Sequence, residues 1–101
     1  MPRRANRSRP LSPQKLSAKL LAIRVALNES QNGILLRLGF ENEFGRDYVS
    51  KWERGLLEPP LLVLMAYADT ANIFLEVLVR DNLKLPSDLP AKVKSSGIEA
   101  K

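Results

Sequence analysis

Apolar residues along this chain recur at helical spacing almost everywhere that they are dense. Leu16, Leu20, Ile23 and Leu27 follow one another at intervals of four, three and four, the stripe of an amphipathic helix. The first helix is therefore placed at 14–27. Ser30 stands as an N-cap whose hydroxyl accepts a first-turn N–H, and Gln31 to Leu38 form a short second helix closed by Gly39. The run FENEF (40–44) has no clear period. Gly45 opens a third short helix, RDYVSKWER, which Gly55 ends, with Val49 and Trp52 three apart on its inward side. Trp52 is thereby read as core, not as a platform for stacking bases.

Pro59 and Pro60 mark a turn, because proline is tolerated only in a helix's first turn. LLVLMAYADTA (61–71) is apolar enough for the central buried helix, and Asn72 follows where a left-handed C-cap is wanted. Leu75, Leu78 and Val79 predict a final short helix ending near Asn82. Residues 84–101 are polar and broken by proline, the composition of a flexible C-terminal tail. No repeat, heptad or useful β-alternation stands out. The expectation is an all-α chain in three parts: a disordered basic arm (1–13), one five-helix domain (14–83) and the tail.

Composition narrows the chemistry. Cysteine and histidine are absent, so there is no disulfide, no thiolate metal site and no imidazole base, and neither a cofactor nor a metal is expected. No nucleophile with an adjacent base and no phosphate-cradling glycine loop can be assembled, which argues against an enzyme. No apolar run is long enough to span a bilayer and no signal sequence is evident. The expected location is cytoplasmic. The net charge is +5, but residues 1–24 carry seven basic groups and no acid, whereas the remaining residues carry nine basic and eleven acidic groups, a net of −2. Charge of this kind suits an anionic partner, although a solvated basic arm gives the same sum.

Order and spacing then identify a resemblance. Arg24 late in helix 1, Ser30-Gln31 opening helix 2, Ile34, Leu38-Gly39, Val49-Ser50-x-x-Glu53-Arg54-Gly55, Pro59, the ladder Leu61, Leu64, Met65, Ala68, and Asn72-Ile73-x-Leu75-x-x-Leu78 together resemble the phage lambda repressor and Cro-like (XRE-like) helix-turn-helix family. The match covers about residues 16–82. It departs from the pattern between Gly39 and Glu53, where about four extra residues around Phe40–Glu43 lengthen the turn and add Glu41 and Glu43. Leu35 stands where the family usually has alanine.

The resemblance implies a compact lambda-repressor-like DNA-binding domain acting in transcription regulation, most simply a repressor on a palindromic operator at a prokaryotic nucleoid. It implies an internal ion pair between Arg24 and Glu53. It places Arg46, Asp47, Tyr48 and Lys51 on the base-reading side of helix 3, and Gln31, Asn32 and Arg54 at DNA phosphates. Asp47 could equally cap helix 3 or pair with Arg46, Tyr48 could pack on the inserted turn, and Gln31 could be a capping-region polar residue. Arg3, Arg4, Arg7 and Arg9 in the arm are candidates for the minor groove or phosphates. A homodimer is expected, since one small module covers little DNA, joined through the apolar side of helix 5 and the Leu85–Val93 tail. The competing reading is an antitoxin or other interaction module that takes a protein partner through the tail and binds double-stranded DNA secondarily.

Overall fold

A computed structural model describes residues 11–99. Five helices follow in order: α1 (Leu16–Ala26), α2 (Gln31–Leu38), α3 (Arg46–Glu53), α4 (Leu61–Ala71) and α5 (Leu75–Val79). Two residue pairs, β1 (Leu83–Lys84) and β2 (Ile98–Glu99), add a small antiparallel ladder with Leu83 opposite Glu99 and Lys84 opposite Ile98. The class is mostly helical. The arm arginines Arg3, Arg4, Arg7 and Arg9 lie outside the described residues.

The caps explain where the elements stop. Ser30 Oγ accepts from Gly33 N at 2.9 Å to start α2, and Gly39 ends it with φ of 84°, a left-handed conformation that glycine adopts at low cost. Asn72 ends α4 in the same way at φ 58°. Helix α1 begins two residues later than the pattern predicts because the N–H groups of Gln14 and Lys15 point to the Asp81 carboxylate, each at 3.0 Å. Helix α5 ends at Val79, short of Asn82. Lys19 Nζ donates to Val77 O (2.7 Å) and Arg80 O (2.8 Å), so these terminal carbonyls find a partner without a further turn.

One core joins all five helices: Leu16, Leu20 and Ile23 of α1 meet Ile34 and Leu35 of α2, Val49 and Trp52 of α3, Val63 and Tyr67 of α4, and Val77 and Leu78 of α5. Leu35, despite its size, is fully accommodated there. Helix α4 is buried along Val63, Leu64, Tyr67, Ala68 and Ala71 only, and Leu61 and Met65 of the expected ladder face outward. The seven-residue connection from α2 to α3 is an ordered turn. Phe44 N donates to Phe40 O at 3.0 Å, and the Phe44 ring stands edge-on to Trp52 (centroids 5.2 Å apart) and Tyr48 (5.0 Å).

The segment after β1, read from sequence as a flexible tail, returns along the end of α4 and the start of α5. Ala91 N donates to Ala71 O, Ser95 N to Asn72 O and Phe74 N to Ser95 O, while Asn72 Nδ2 donates to Ala91 O at 2.6 Å. Leu85 and Leu89 pack on the core. The buried side of α5, which the sequence suggests as a surface for a second copy, is thus covered within the chain, with Val77 and Leu78 sealed. Backbone hydrogen bonds do most of this anchoring, so a sequence with few apolar anchors gave little sign of it.

Candidate nucleic-acid interface

Helices α2 and α3 are each eight residues long. What fixes one against the other is a polar cluster beneath them. Arg24 Nε donates to Glu53 Oε2 at 2.6 Å and Arg24 Nη2 to Glu53 Oε1 at 3.0 Å, a two-point pairing that a guanidinium makes with defined orientation. Arg24 Nη1 donates to Glu29 O (3.0 Å), and Gln31 Nε2 donates to Glu53 Oε1 at 3.3 Å. The cluster ties the ends of α1 and α3 to the start of α2. The Glu53 bond holds the Arg24 guanidinium above its already high range. Tyr67, buried nearby, is also pushed up, first by loss of water and then by the Glu53 charge.

Helix α3 is two-sided as a consequence of its spacing. Val49 and Trp52 are buried, whereas Arg46, Asp47, Tyr48 and Lys51 are exposed. Tyr48 rests on Phe44 of the turn, and Lys51 Nζ lies 5.9 Å from the centre of the Tyr48 ring, an arrangement that draws a cation toward the ring face. Among the described residues Asp47 has no ion pair with Arg46 and caps no helix through its side chain.

The expected phosphate residues divide. Gln31 is half-buried and its amide is engaged with Glu53, so its amide serves the internal cluster in this conformation. Asn32 is exposed in the first turn of α2. Arg54 is exposed and folds back on Ser50, donating to its carbonyl (3.3 Å) and hydroxyl (3.2 Å). Arg37 is held by Glu29 at 3.0 Å. Counting unpaired groups from α2 through Gly55, Arg46, Lys51 and Arg54 are balanced by Glu41, Glu43 and Asp47. The face therefore offers directed donors and acceptors on a rigid helix, without a strong positive field of its own.

Two anchors escaped the sequence reading, Lys19 and Asp81. Burial pushes the Lys19 ammonium below its ordinary value, with the Asp81 charge offsetting part of that, and the Gln14 N–H holds the Asp81 carboxyl below the usual range. A cavity of about 330 Å³ opens between Ser12–Ser17 and the α3–α4 loop, lined by Trp52, Gly55, Leu56 and Pro59 among others. No group of carboxylates suited to a metal ion occurs among the described residues, and none of the helices is long and apolar enough to cross a membrane. Comparison of the chain with protein-family models, with characterised proteins and with solved structures finds no match.

Proposed function

We propose that this protein is a sequence-specific DNA-binding regulator of transcription, most simply a repressor, in which α2 and α3 act as a helix-turn-helix of the lambda-repressor and Cro-like type. The observation that carries the reading is the two-sidedness of α3 on a fixed base: Arg46, Asp47, Tyr48 and Lys51 face out while the Arg24–Glu53–Gln31 cluster and the Trp52 side hold the helix in place. The major groove is just wide enough to admit a helix. Laid there, Arg46 and Lys51 would donate to guanine O6 and N7 and Asp47 would accept from cytosine N4, while Asn32 and Arg54 meet phosphates. The aromatic turn of Phe40 and Phe44 sets the position of Tyr48 and so makes the four extra residues part of the reading surface.

Because the folded face is charge-balanced, its contribution is selectivity more than bulk attraction, and the basic arm is the natural source of salt-dependent affinity. A homodimer reading half-sites about 34 Å apart would supply the remaining specificity. The interaction-module reading takes its partner through a tail that orders on binding, and the few apolar anchors there weigh against it. Leu85 and Leu89 pack inward, leaving Val93 and Ile98 as the tail's large exposed apolar side chains, which favours DNA as the main partner.

Selection of genome fragments by the purified chain, then titration of the best site against a scrambled duplex at about 150 mM salt, tests the reading. The expected result is a two-fold-related motif bound about 10³-fold more tightly than the scramble. Arg46→Ala and Lys51→Ala should each cost about 1–3 kcal/mol of that binding and relax preference at one base position, with unchanged thermal stability. Equal binding to both duplexes overturns the proposal.

A further inference from the structure

The outward side of α4 is apolar where helices on a protein surface are ordinarily polar. Leu61, Leu62 and Met65 lie within an arc of about 100° on one side of the helix, opposite the buried Val63, Tyr67 and Ala71. They are 61%, 66% and 43% exposed, and Leu56 and Leu57, just before the Glu58–Pro60 turn, are 65% and 44% exposed. Their exposures add up to roughly three fully exposed leucines within ten consecutive residues, on the order of 500 Å², a sum that falls in the upper part of the range for the largest apolar patch on an ordinary monomer. That is more than half of the about 800 Å² per partner that a stable interface buries.

We infer that this Leu56–Met65 surface is the face on which a second copy of the chain docks, about a two-fold axis. A two-fold interface sets one patch against itself, so that residue i meets residue j and j meets i. An apolar centre satisfies this directly. Its rim does so through charge: Arg54 precedes the patch, while Glu58 and Asp69 follow its parts, and none of the three has an ion-pair partner among the described residues. Arg54 donates through Nε to Ser50 but has no carboxylate partner among the described residues, so in the DNA-free pair its guanidinium can meet an acid of the other copy. A membrane surface is the poorer occupant, since residues 25–101 carry a net charge of −2 and anionic lipid attracts basic surfaces. The apolar side of α5 is the poorer contact, because residues 84–99 of the same chain already pack along it and Val77 and Leu78 are sealed. The inference rests on the reading above and deepens it by naming the dimer face.

The test is sedimentation equilibrium of the full chain across the micromolar range, without DNA, for the wild type, the double variant Leu61→Glu/Leu62→Glu, and Val93→Glu as a control on the exposed tail. Both leucines are exposed in the first turn of α4, where acidic residues are tolerated by the helix dipole, so the circular dichroism spectrum should be unchanged. The expected result is a reversible dimer whose dissociation constant rises at least about tenfold in the double variant, as four carboxylates are brought together, and stays put in Val93→Glu. A wild type that remains monomeric overturns the inference, as does a dimer indifferent to the double change or dissociated equally by Val93→Glu. A dimer that reads no DNA sinks the proposed function alone, and a monomer that reads DNA sinks this inference alone.

Discussion

Arg24 and Lys19 lie five residues apart on α1, and each carries a positive charge into a junction between helices. At Arg24 the charge is met by a charge: the carboxylate of Glu53 pairs with it at two points, 2.6 and 3.0 Å. At Lys19 it is met by dipoles, with Nζ donating to the carbonyls of Val77 and Arg80 where α5 ends, the position at which a cation is favoured. The chemistry of the two side chains fits the division. A planar fork fixes direction, whereas an ammonium is a point charge that carbonyls can surround. The α1–α3 junction is the one given the fork; the α1–α5 junction, where α5 ends, has the point charge.

The largest effect should come from breaking the first of these. In Glu53→Ala, Arg24 is left mostly buried with its Glu29 carbonyl contact alone, and Gln31 loses its acceptor. Removing one member of a buried pair typically costs about 3–5 kcal/mol, and because the Arg24 side chain keeps 18% exposure the lower end, about 3 kcal/mol, is expected. Urea unfolding measures it. A loss below about 1 kcal/mol, the scale of an exposed pair, would mean that the pair is a surface ornament and that α3 is held by packing alone.

Lys19→Met should cost less. The methionine fills much of the space of the lysine stem but leaves the Val77 and Arg80 carbonyls without their donor, a loss of about 1–2 kcal/mol that is offset in part because an ammonium no longer has to leave water. The expected net is about 1 kcal/mol by the same urea measurement. A cost equal to that of Glu53→Ala would erase the distinction between the two junctions. Conversely, a more stable variant would mean that desolvation outweighs both hydrogen bonds.

These two anchors were unequally legible. Leu16, Lys19, Leu20, Ile23 and Arg24 stand at i, i+3, i+4, i+7 and i+8, so spacing alone puts both basic residues beside the apolar stripe. Arg24 was assigned an inward role through the motif it shares with Glu53. Lys19 had only its position, and residue type outweighed it. The helices were readable because their signals are local: caps at Ser30, Gly39 and Asn72, and apolar positions one turn apart. The return of residues 84–99 was not, since it rests on backbone bonds to Ala71, Asn72 and Phe74 that almost any sequence can make. The outward side of α4 was obscure for a different reason, that Leu61 and Met65 are as apolar as Val63 and Leu64, and composition cannot tell a helix sealed on all sides from one awaiting a partner. For the α3 face, periodicity separated Val49 and Trp52 from their neighbours, but the contact of Tyr48 with Phe44 depends on a turn whose own order was invisible.

Asp81 completes the α1–α5 junction from the other direction and should give the smallest effect. Its carboxylate accepts from the N–H groups of Gln14 and Lys15, all at 3.0 Å, a contact across 66 and 67 residues that starts α1. Lys19 thus closes the end of α5 while the residue just beyond α5 opens α1. Loss of a helix-starting acceptor costs about 1 kcal/mol, the expected effect of Asp81→Ala near neutral pH. The pH dependence carries a sign. The Gln14 and Lys15 bonds favour the charged carboxylate and depress its pKa in the folded chain, so their stabilisation is complete above the unfolded value of about 3.9 and is lost as pH falls through the folded value. Urea midpoints of wild type and Asp81→Ala, measured from neutral pH down toward about 2.5, should therefore converge below about pH 4. A gap that persists unchanged into strong acid would show that the carboxylate charge is not what holds the start of α1, and that the junction closes through Lys19 alone.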